Sequence, residues 1–121
     1  MPIALRRAYE AASASDGYRA LVDGLWPRGV TKQKLRIDVW MKGIAPSASL
    51  RKWYGHKPER WDEFRSRYRA ELSQPPRKAL LEELVERGRK GRVTLVFGAR
   101  DAEHSNAAVI GEMIGARSGG R

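Results

Sequence analysis

The sequence predicts an α/β fold, a small layered domain with a partly parallel sheet flanked by helices. Segments typical of strands alternate along the chain with segments typical of helices, as they do in α/β layered domains. The segment VTLVF (93–97) is uncharged and rich in β-branched residues, a composition that suits a strand buried on both faces of a sheet. We therefore expect residues 93–97 to form an interior strand, parallel to the strand predicted at YRALVD (18–23).

The first third of the chain carries strand-like segments and one short helical turn. Residues 3–9 (IALRRAY) alternate weakly and predict a first strand. The run YRALVD is mostly apolar and is bracketed by Gly17 and Gly24, which predicts a largely buried strand. Thr31, a favoured N-cap residue, predicts a helical turn over TKQKL. The segment RIDVWM (36–41) alternates and fits both a short strand and an isolated extended segment.

The middle of the chain predicts helices from their caps and their apolar stripes. Ser47 is a favoured N-cap for the segment ASLRKWY, and Gly55 is suited to end that helix. Pro58 is expected at the first position of the next helix. The apolar residues of that helix recur at helical spacing and are Trp61, Phe64, Tyr68 and Leu72. We interpret these aromatic residues as part of the core.

Two further helices are predicted in the last third. Pro76 opens the first of them, and Gly88 and Gly91 are expected to end it. Its apolar stripe consists of Leu80, Leu81, Leu84 and Val85. The last helix follows VTLVF and has its apolar stripe at Ala107, Ala108, Ile110 and Ile114.

Length and composition limit the classes of protein that fit. At 121 residues the chain predicts one domain over residues 1–116 and a flexible C-terminal tail over residues 117–121. The absence of cysteine excludes a disulfide framework, a thiolate zinc site and a cysteine nucleophile, and two histidines argue against any bound transition metal. We recognise no cofactor motif such as a P-loop or GxGxxG turn. No apolar run approaches a membrane span and no signal peptide is apparent, so we expect a cytoplasmic protein without a membrane partner.

The chain is strongly basic. Lys and Arg number 24 against 14 acidic residues, which gives a formal net charge of +10. Such a charge favours polyanionic partners such as nucleic acid or phosphorylated metabolites. The basic residues are spread along the chain, so a merely solvated basic surface explains them equally well.

Two polar loops follow the two predicted strands, at residues 23–29 and 98–106. If the strands are parallel, both loops lie at the carboxyl edge of the sheet, where ligands bind in α/β proteins. The polar side chains that would then meet are Asp23, Arg28, Arg100, Asp101, His104 and Asn106. We expect an anionic ligand at this edge, bound by the forked donors of Arg28 and Arg100 and by a helix that begins near Asp101.

The same loops contain candidate catalytic residues. His104 has a side chain suited to proton transfer near neutral pH, with Asp101 or Asp23 as its orienting partner. Purely structural roles also explain the polar residues of these loops. Asp101 also fits as a helix cap, Arg28 as the ion-pair partner of Asp23, and His104 as a surface residue of the first helical turn.

A third basic segment surrounds His56. In YGHKPERW this histidine has basic neighbours, namely Arg51, Lys52, Lys57 and Arg60. His56 and Arg60 are therefore further candidates for anion binding, although packing of His56 in a turn is the simpler interpretation.

The motifs DGYRALVDGLWPRG, APSASLRKWYGHKPERWDEFRSRYRAEL and GRVTLVFGARDAEHSNA together resemble the YeaO-like branch of domain-of-unknown-function family 488 (DUF488). The resemblance covers nearly the whole chain and implies a small bacterial, cytosolic α/β protein, without implying a reaction. The chain departs from the family pattern at Gly24, where that pattern has arginine. The residues that match the motifs are Asp23, Trp26, Pro27, Arg28, Gly29, Trp53, Gly55, His56, Arg60, Trp61, Arg100, Asp101, His104 and Asn106.

Three hypotheses about function follow. The first is binding of a phosphorylated or other anionic small molecule at the edge formed by residues 23–29 and 98–106. The second is nucleic-acid binding by the distributed Arg and Lys surface without catalysis, and the third is a structural or interaction module. The sequence leaves open whether any reaction is catalysed and which oligomeric state the protein adopts.

Overall fold

The computed structural model describes the backbone of residues 3–119 and the side chains of residues 3–116. Four strands lie in this part of the chain, and they are β1 (Ile3–Arg7), β2 (Tyr18–Leu21), β3 (Val39–Trp40) and β4 (Val93–Phe97). They form a sheet in the order β1-β4-β2-β3, and every neighbouring pair is parallel. The predicted α/β class is confirmed, and the parallel arrangement extends to all four strands.

Strand β4 is the interior strand that its composition predicts. All five of its residues are buried. It pairs with β1 on one side, where Leu5 lies opposite Leu95, and with β2 on the other, where Ala20 lies opposite Leu95. The prediction that VTLVF runs parallel to the YRALVD strand is therefore confirmed.

Five helices are described, namely α1 (Lys32–Leu35), α2 (Ala48–Tyr54), α3 (Trp61–Leu72), α4 (Arg77–Lys90) and α5 (Asn106–Gly119). The predicted caps are present. The Thr31 side chain accepts a hydrogen bond from the Lys34 N–H at 3.2 Å, and the Ser47 side chain accepts one from the Leu50 N–H at 3.2 Å. Gly55 ends α2 in the left-handed conformation, with φ of 52°.

Helices α2 to α5 cover one face of the sheet. The core on this face joins strand residues such as Ala20 and Leu95 to Phe64, Tyr68 and other apolar side chains of these helices. Leu21 and Val96, the next residues along each strand, belong to a second, smaller core on the opposite face. The strands therefore alternate as a pleated sheet requires, with both faces buried.

The second face is covered by loops and α1 rather than by a layer of long helices. The connection from β1 to β2, residues 8–17, crosses this face with only one short 3₁₀ turn at Ala14–Asp16. The connection passes close to β4, because Thr94 Oγ1 donates a hydrogen bond to the Asp16 carbonyl at 2.7 Å. At Gly17, which has φ of 67°, an added Cβ would lie 2.3 Å from the Arg92 carbonyl oxygen, so only glycine fits there.

A buried ion pair holds this second face together. Asp16 and Arg19 are each only 3% exposed, and Arg19 Nη1 donates to Asp16 Oδ2 at 2.6 Å. The remaining guanidinium nitrogens, Nη2 and Nε, donate to the Leu35 carbonyl at 2.7 and 3.1 Å. Burial alone would raise the pKa of Asp16, but the Ser13 N–H, Arg19 and Arg6 together lower it below its usual value. Both charges are thus compensated, as buried charges must be.

Three details differ from the expectations. Pro58 opens a separate 3₁₀ turn, Pro58–Arg60, and α3 begins after it at Trp61. Gly88 does not end α4 but is buried within it, and the helix continues to Lys90 with Gly91 as its C-cap. The last α-helix begins at Asn106, because a separate 3₁₀ turn, Ala102–His104, follows Asp101. The side chains of the predicted tail, residues 117–121, lie outside the described residues.

We predict that Arg19→Met destabilises the fold by roughly 3–5 kcal/mol, because it removes the buried cation closest to the Asp16 carboxylate and leaves the Leu35 carbonyl without the Arg19 donors. Urea denaturation at neutral pH measures this loss. The matched control is Arg89→Met, since Arg89 forms an exposed pair with Glu86 on α4 and its loss should change stability by less than about 0.5 kcal/mol. Equal losses in the two variants would contradict a structural role for the buried pair.

Candidate functional site

The two polar loops meet at the carboxyl edge of the sheet. Asp23 Oδ2, in the loop after β2, accepts a hydrogen bond from the Gly98 N–H, in the loop after β4, at 2.8 Å. Asn106, at the start of α5, donates from Nδ2 to the Val22 carbonyl at 3.0 Å. The predicted convergence of the loops therefore follows from the parallel pairing of β2 with β4.

A cavity of about 360 Å³ lies at this edge, and we call it the inner cavity. Its polar lining residues are Asp23, Arg51, His56, His104, Ser105 and Asn106. Its apolar lining residues are Leu25, Pro46, Tyr54, Phe64 and Ala99. An apolar wall with a few convergent polar groups is the usual composition of a small-molecule site.

A second cavity of about 440 Å³, the outer cavity, adjoins the first. The residues common to both are Tyr54, His56, Gly98, Ala99 and His104. The outer cavity adds Pro58, Arg100 and Asp101. Because five residues line both spaces, we treat the two cavities as one cleft with an inner and an outer part.

Asp23 is the partly buried acid of the inner cavity. Its backbone carbonyl accepts a hydrogen bond from Trp40 Nε1 at 2.8 Å, which holds the residue in place between β2 and β3. Burial raises the pKa of the Asp23 carboxyl above its usual value. The Gly98 N–H, the Asn106 amide, and the charges of Arg51 and His56 act in the opposite direction without cancelling the effect of burial.

His104 and Asp101 form a hydrogen-bonded pair at the mouth of the cleft. His104 Nδ1 lies 2.5 Å from Asp101 Oδ2, and the pKa of Asp101 is lowered chiefly by this bond. Asp101 also caps the 3₁₀ turn by accepting from the Glu103 N–H at 3.1 Å. The ring of Trp61 contacts His104 edge-on, with 5.0 Å between centroids. The predicted pairing of His104 with Asp101 is present, whereas Asp101 caps this separate 3₁₀ turn and not the last helix, which begins at Asn106.

Arg51 brings a guanidinium to the inner cavity from helix α2, and His56 brings an imidazole from the turn that follows it. His56 has φ of 57° and follows Gly55 at 52°, so two successive residues are left-handed. Histidine adopts this conformation more readily than most residues, yet it still requires support from its surroundings. The Arg51 guanidinium lies over Gly24, where an added Cβ would be 3.8 Å from its central carbon. A Cβ at position 24 would therefore make only an ordinary van der Waals contact with this guanidinium.

Helix α2 is anchored at its start, which fixes where Arg51 lies. The Ser47 N–H donates to Glu71 Oε1 at 2.9 Å, and Ser47 Oγ donates to Glu71 Oε2 at 2.5 Å. Tyr68 donates its hydroxyl to the Ile44 carbonyl at 2.6 Å in the preceding segment. These bonds tie the start of α2 to α3.

Only some of the predicted anion-binding residues line the cleft. His56 and Asn106 line the inner cavity, and Arg100 lines the outer one. Arg28 is exposed and lines neither. Arg60 also lines neither, since it donates to the Trp53 carbonyl and stacks on the Trp53 ring with 5.1 Å to the centroid.

Several lining residues were not among the predicted site residues, and two of them, Arg51 and Tyr54, carry polar groups on a helix. The pattern of polar loops that follow strands does not include positions on this helix. The sequence indicates them only through their position, because both lie within about one helical turn of Gly55 and His56 in the motif YGHKPERW.

The described part of the chain contains neither a cluster of metal-binding side chains nor a helix able to cross a membrane. Among residues 3–119, no group of three or more His, Cys, Asp or Glu side chains is placed to hold a metal ion. None of the helices described there has both the length and the apolar character that a bilayer crossing requires.

Comparison with known proteins identifies the family. The model of the family described as the inactive DUF488-N3 subclade matches residues 2–118. The chain belongs to this DUF488 family. It is similar to an uncharacterised protein of Mycobacterium tuberculosis strain H37Rv, with 42% identity over 115 residues that cover 95% of each chain. It is also similar to the uncharacterised protein YeaO of Escherichia coli K12, with 38% identity over 114 residues, or 94% of this chain and 97% of YeaO.

No solved structure matches this DUF488 protein. The family membership confirms the resemblance that the three sequence motifs indicated.

The raised pKa of Asp23 predicts a specific pH dependence of stability. An unfolded aspartate has a pKa of about 3.9, so between that value and the higher native pKa the folded state binds more protons, and stability falls as pH rises through this window. Asp23→Asn cannot ionise, so its stability relative to the unsubstituted protein should increase from about pH 4 to pH 7. Urea midpoints across this range measure the difference.

The control for this experiment is Glu83→Gln, on an exposed position of α4. Its stability difference should stay within about 0.5 kcal/mol throughout. A difference for Asp23→Asn that stays flat or decreases with pH would show that burial does not raise the pKa of this carboxyl.

Proposed function

We propose that this DUF488 protein binds a small anionic ligand, a molecule carrying a phosphate or carboxylate, in the cleft at the carboxyl edge of its sheet. The observation that carries the proposal is that Arg51 and His56 line the same 360 Å³ cavity, beside the loops that follow β2 and β4. Arg100 supplies a further cation in the outer cavity. Ligands of α/β proteins bind at this edge because the loops of neighbouring parallel strands gather there.

The chemistry of the lining supports an anion. A guanidinium offers planar, paired N–H donors that match the oxygens of phosphate and carboxylate. The apolar wall of Tyr54, Phe64 and Leu25 reduces competition from water, which strengthens charge-assisted bonds inside the cavity. The volume of the inner cavity falls within the range of about 300–1,000 Å³ that small-molecule sites occupy.

Binding rather than catalysis is the role we propose. The matching subclade is described as inactive, which favours a protein that holds or senses its ligand. The His104–Asp101 pair at the mouth then acts as a hydrogen-bonding wall, with His104 near the ligand in both parts of the cleft.

The test is thermal stabilisation by phosphate, by ribose 5-phosphate and by a nucleoside monophosphate. A ligand that binds only the folded state at 100 times its Kd stabilises by about 2.7 kcal/mol. Arg51→Ala should abolish most of this effect. Lys52→Ala should not, because Lys52 is the adjacent exposed cation on the same helix and lines neither cavity.

A third variant separates the cleft from the loop site expected from the sequence. Arg28→Ala should retain the stabilisation if the cleft is the site, and should lose it if the loop containing residues 23–29 binds the anion through Arg28. Equal responses of Arg51→Ala and Lys52→Ala to every anion would contradict the proposal.

Nucleic-acid binding by the basic surface is distinguished by salt. For binding to a phosphate backbone, the logarithm of the affinity falls linearly with the logarithm of the salt concentration. The slope grows with the number of phosphates neutralised. A nucleoside monophosphate carries one phosphate, so we expect its stabilising effect to change less between about 50 and 200 mM salt than binding to several backbone phosphates would. A gel shift of generic duplex at low salt that Arg51→Ala leaves unchanged would assign the basic charge to nucleic acid instead.

A further inference from the structure

The inner cavity contains a carboxylate beside a guanidinium, and this limits which anions fit. Asp23 lines the cavity together with Arg51 and His56, and the Arg51 guanidinium acts electrostatically on its carboxylate. The outer cavity has the same composition, with Arg100 and Asp101 as neighbours in the lining. Each part of the cleft thus pairs acidic with basic groups.

A bare anion in such a site meets an opposing charge. An anion that approaches Arg51 is repelled by the nearby Asp23 carboxylate. The repulsion acts from a half-buried carboxylate, whereas water partly screens the charge of the exposed Arg51 guanidinium. A ligand that also offers a hydrogen-bond donor to Asp23 converts this repulsion into a charge-assisted bond.

Asp23 is built to accept such a donor. A carboxylate has about four lone-pair sites, and the groups of the protein that bond to this one are the Gly98 N–H and the Asn106 amide. The bond to Gly98, at 2.8 Å, and the bond from Trp40 to the Asp23 carbonyl, at 2.8 Å, fix its position, so the acceptor is preorganised.

We propose that the ligand of the inner cavity is amphoteric, a small molecule that presents an N–H or ammonium donor to Asp23 and an anionic group to Arg51 and His56. This inference rests on the proposed function, since it assumes that the anion binds in the cleft. The buried side chains of Tyr54 and Phe64, whose rings stack on each other with centroids 4.3 Å apart, give the cavity a rigid apolar wall against which the body of the ligand would pack.

Two sources supply this chemistry, and matched pairs of probes distinguish them. For a nucleotide, guanosine 5′-monophosphate is compared with ribose 5-phosphate, which has the same anion without the donor-bearing ring. For an amino acid, phenylalanine is compared with 3-phenylpropionate, which has the same ring and carboxylate without the ammonium group. Isothermal titration calorimetry on the full chain measures the four dissociation constants.

We expect the donor-bearing member of one pair to bind roughly tenfold to a hundredfold more tightly than its partner, the ratio that one hydrogen bond to a charged group produces. A difference within the nucleotide pair identifies the donor as a nucleobase. A difference within the amino-acid pair identifies the ligand as a zwitterion. Asp23→Asn, which keeps an oxygen for the Gly98 N–H, should reduce the ratio toward one, whereas the exposed control Asp62→Asn should leave it unchanged. The comparison of the probes on the unsubstituted protein tests the amphoteric ligand even if a variant does not fold.

The outcomes separate the two proposals. If the donor-free probes or inorganic phosphate bind in an Arg51-dependent way and the donor adds nothing, the amphoteric ligand is wrong and the anion site remains. If the donor-bearing probe still binds more tightly to Asp23→Asn, Asp23 is not the hydrogen-bond acceptor and the inference is also wrong. If none of the probes binds, both proposals are overturned.

Discussion

The parallel pairing of β2 with β4 is the constraint on which the rest of the structure depends. Strand β4 is buried along its whole length between β1 and β2, so its backbone donors and acceptors are satisfied only in that position. The same pairing ends both strands at one edge, where Asp23 accepts the Gly98 N–H. The cleft is therefore a direct consequence of strand direction, and an antiparallel β2 would separate its two loops.

The second face of the sheet shows how a short chain buries a parallel sheet without a full layer of helices. The crossover from β1 to β2 lacks an α-helix, so polar backbone comes close to β4 and needs partners. The Thr94 hydroxyl donates to the Asp16 carbonyl, and the Asp16 carboxylate accepts from the Ser13 N–H. Arg19 joins this carboxylate to the Leu35 carbonyl at the end of α1. Removal of either partner of a buried ion pair is destabilising, because Arg19 is the closest cation to Asp16, with Arg6 as a second one at 3.4 Å.

The cleft could be predicted from the sequence in part, because loops that follow parallel strands gather at one edge. Asp23, His104 and Asn106 were found in this way, since each lies on such a loop. Arg28 lies on the same loop as Asp23 but outside both cavities, because residues of one irregular loop point in directions that loop position alone does not specify. Arg51 reaches the cleft from helix α2, whose placement depends on contacts of Ser47 with α3, far away in sequence.

The sequence by itself determined the class of fold, the interior strand and most helix boundaries, because periodicity, β-branched composition and capping residues act over a few neighbouring positions. It did not reveal that Gly88 lies inside α4, since burial against other elements overrides the weak helix propensity of glycine. The pKa direction of Asp23 and the balance of acid and base in the cleft were decided only by the tertiary structure. Burial and electrostatic interaction depend on distances between side chains, and the fold alone sets those distances.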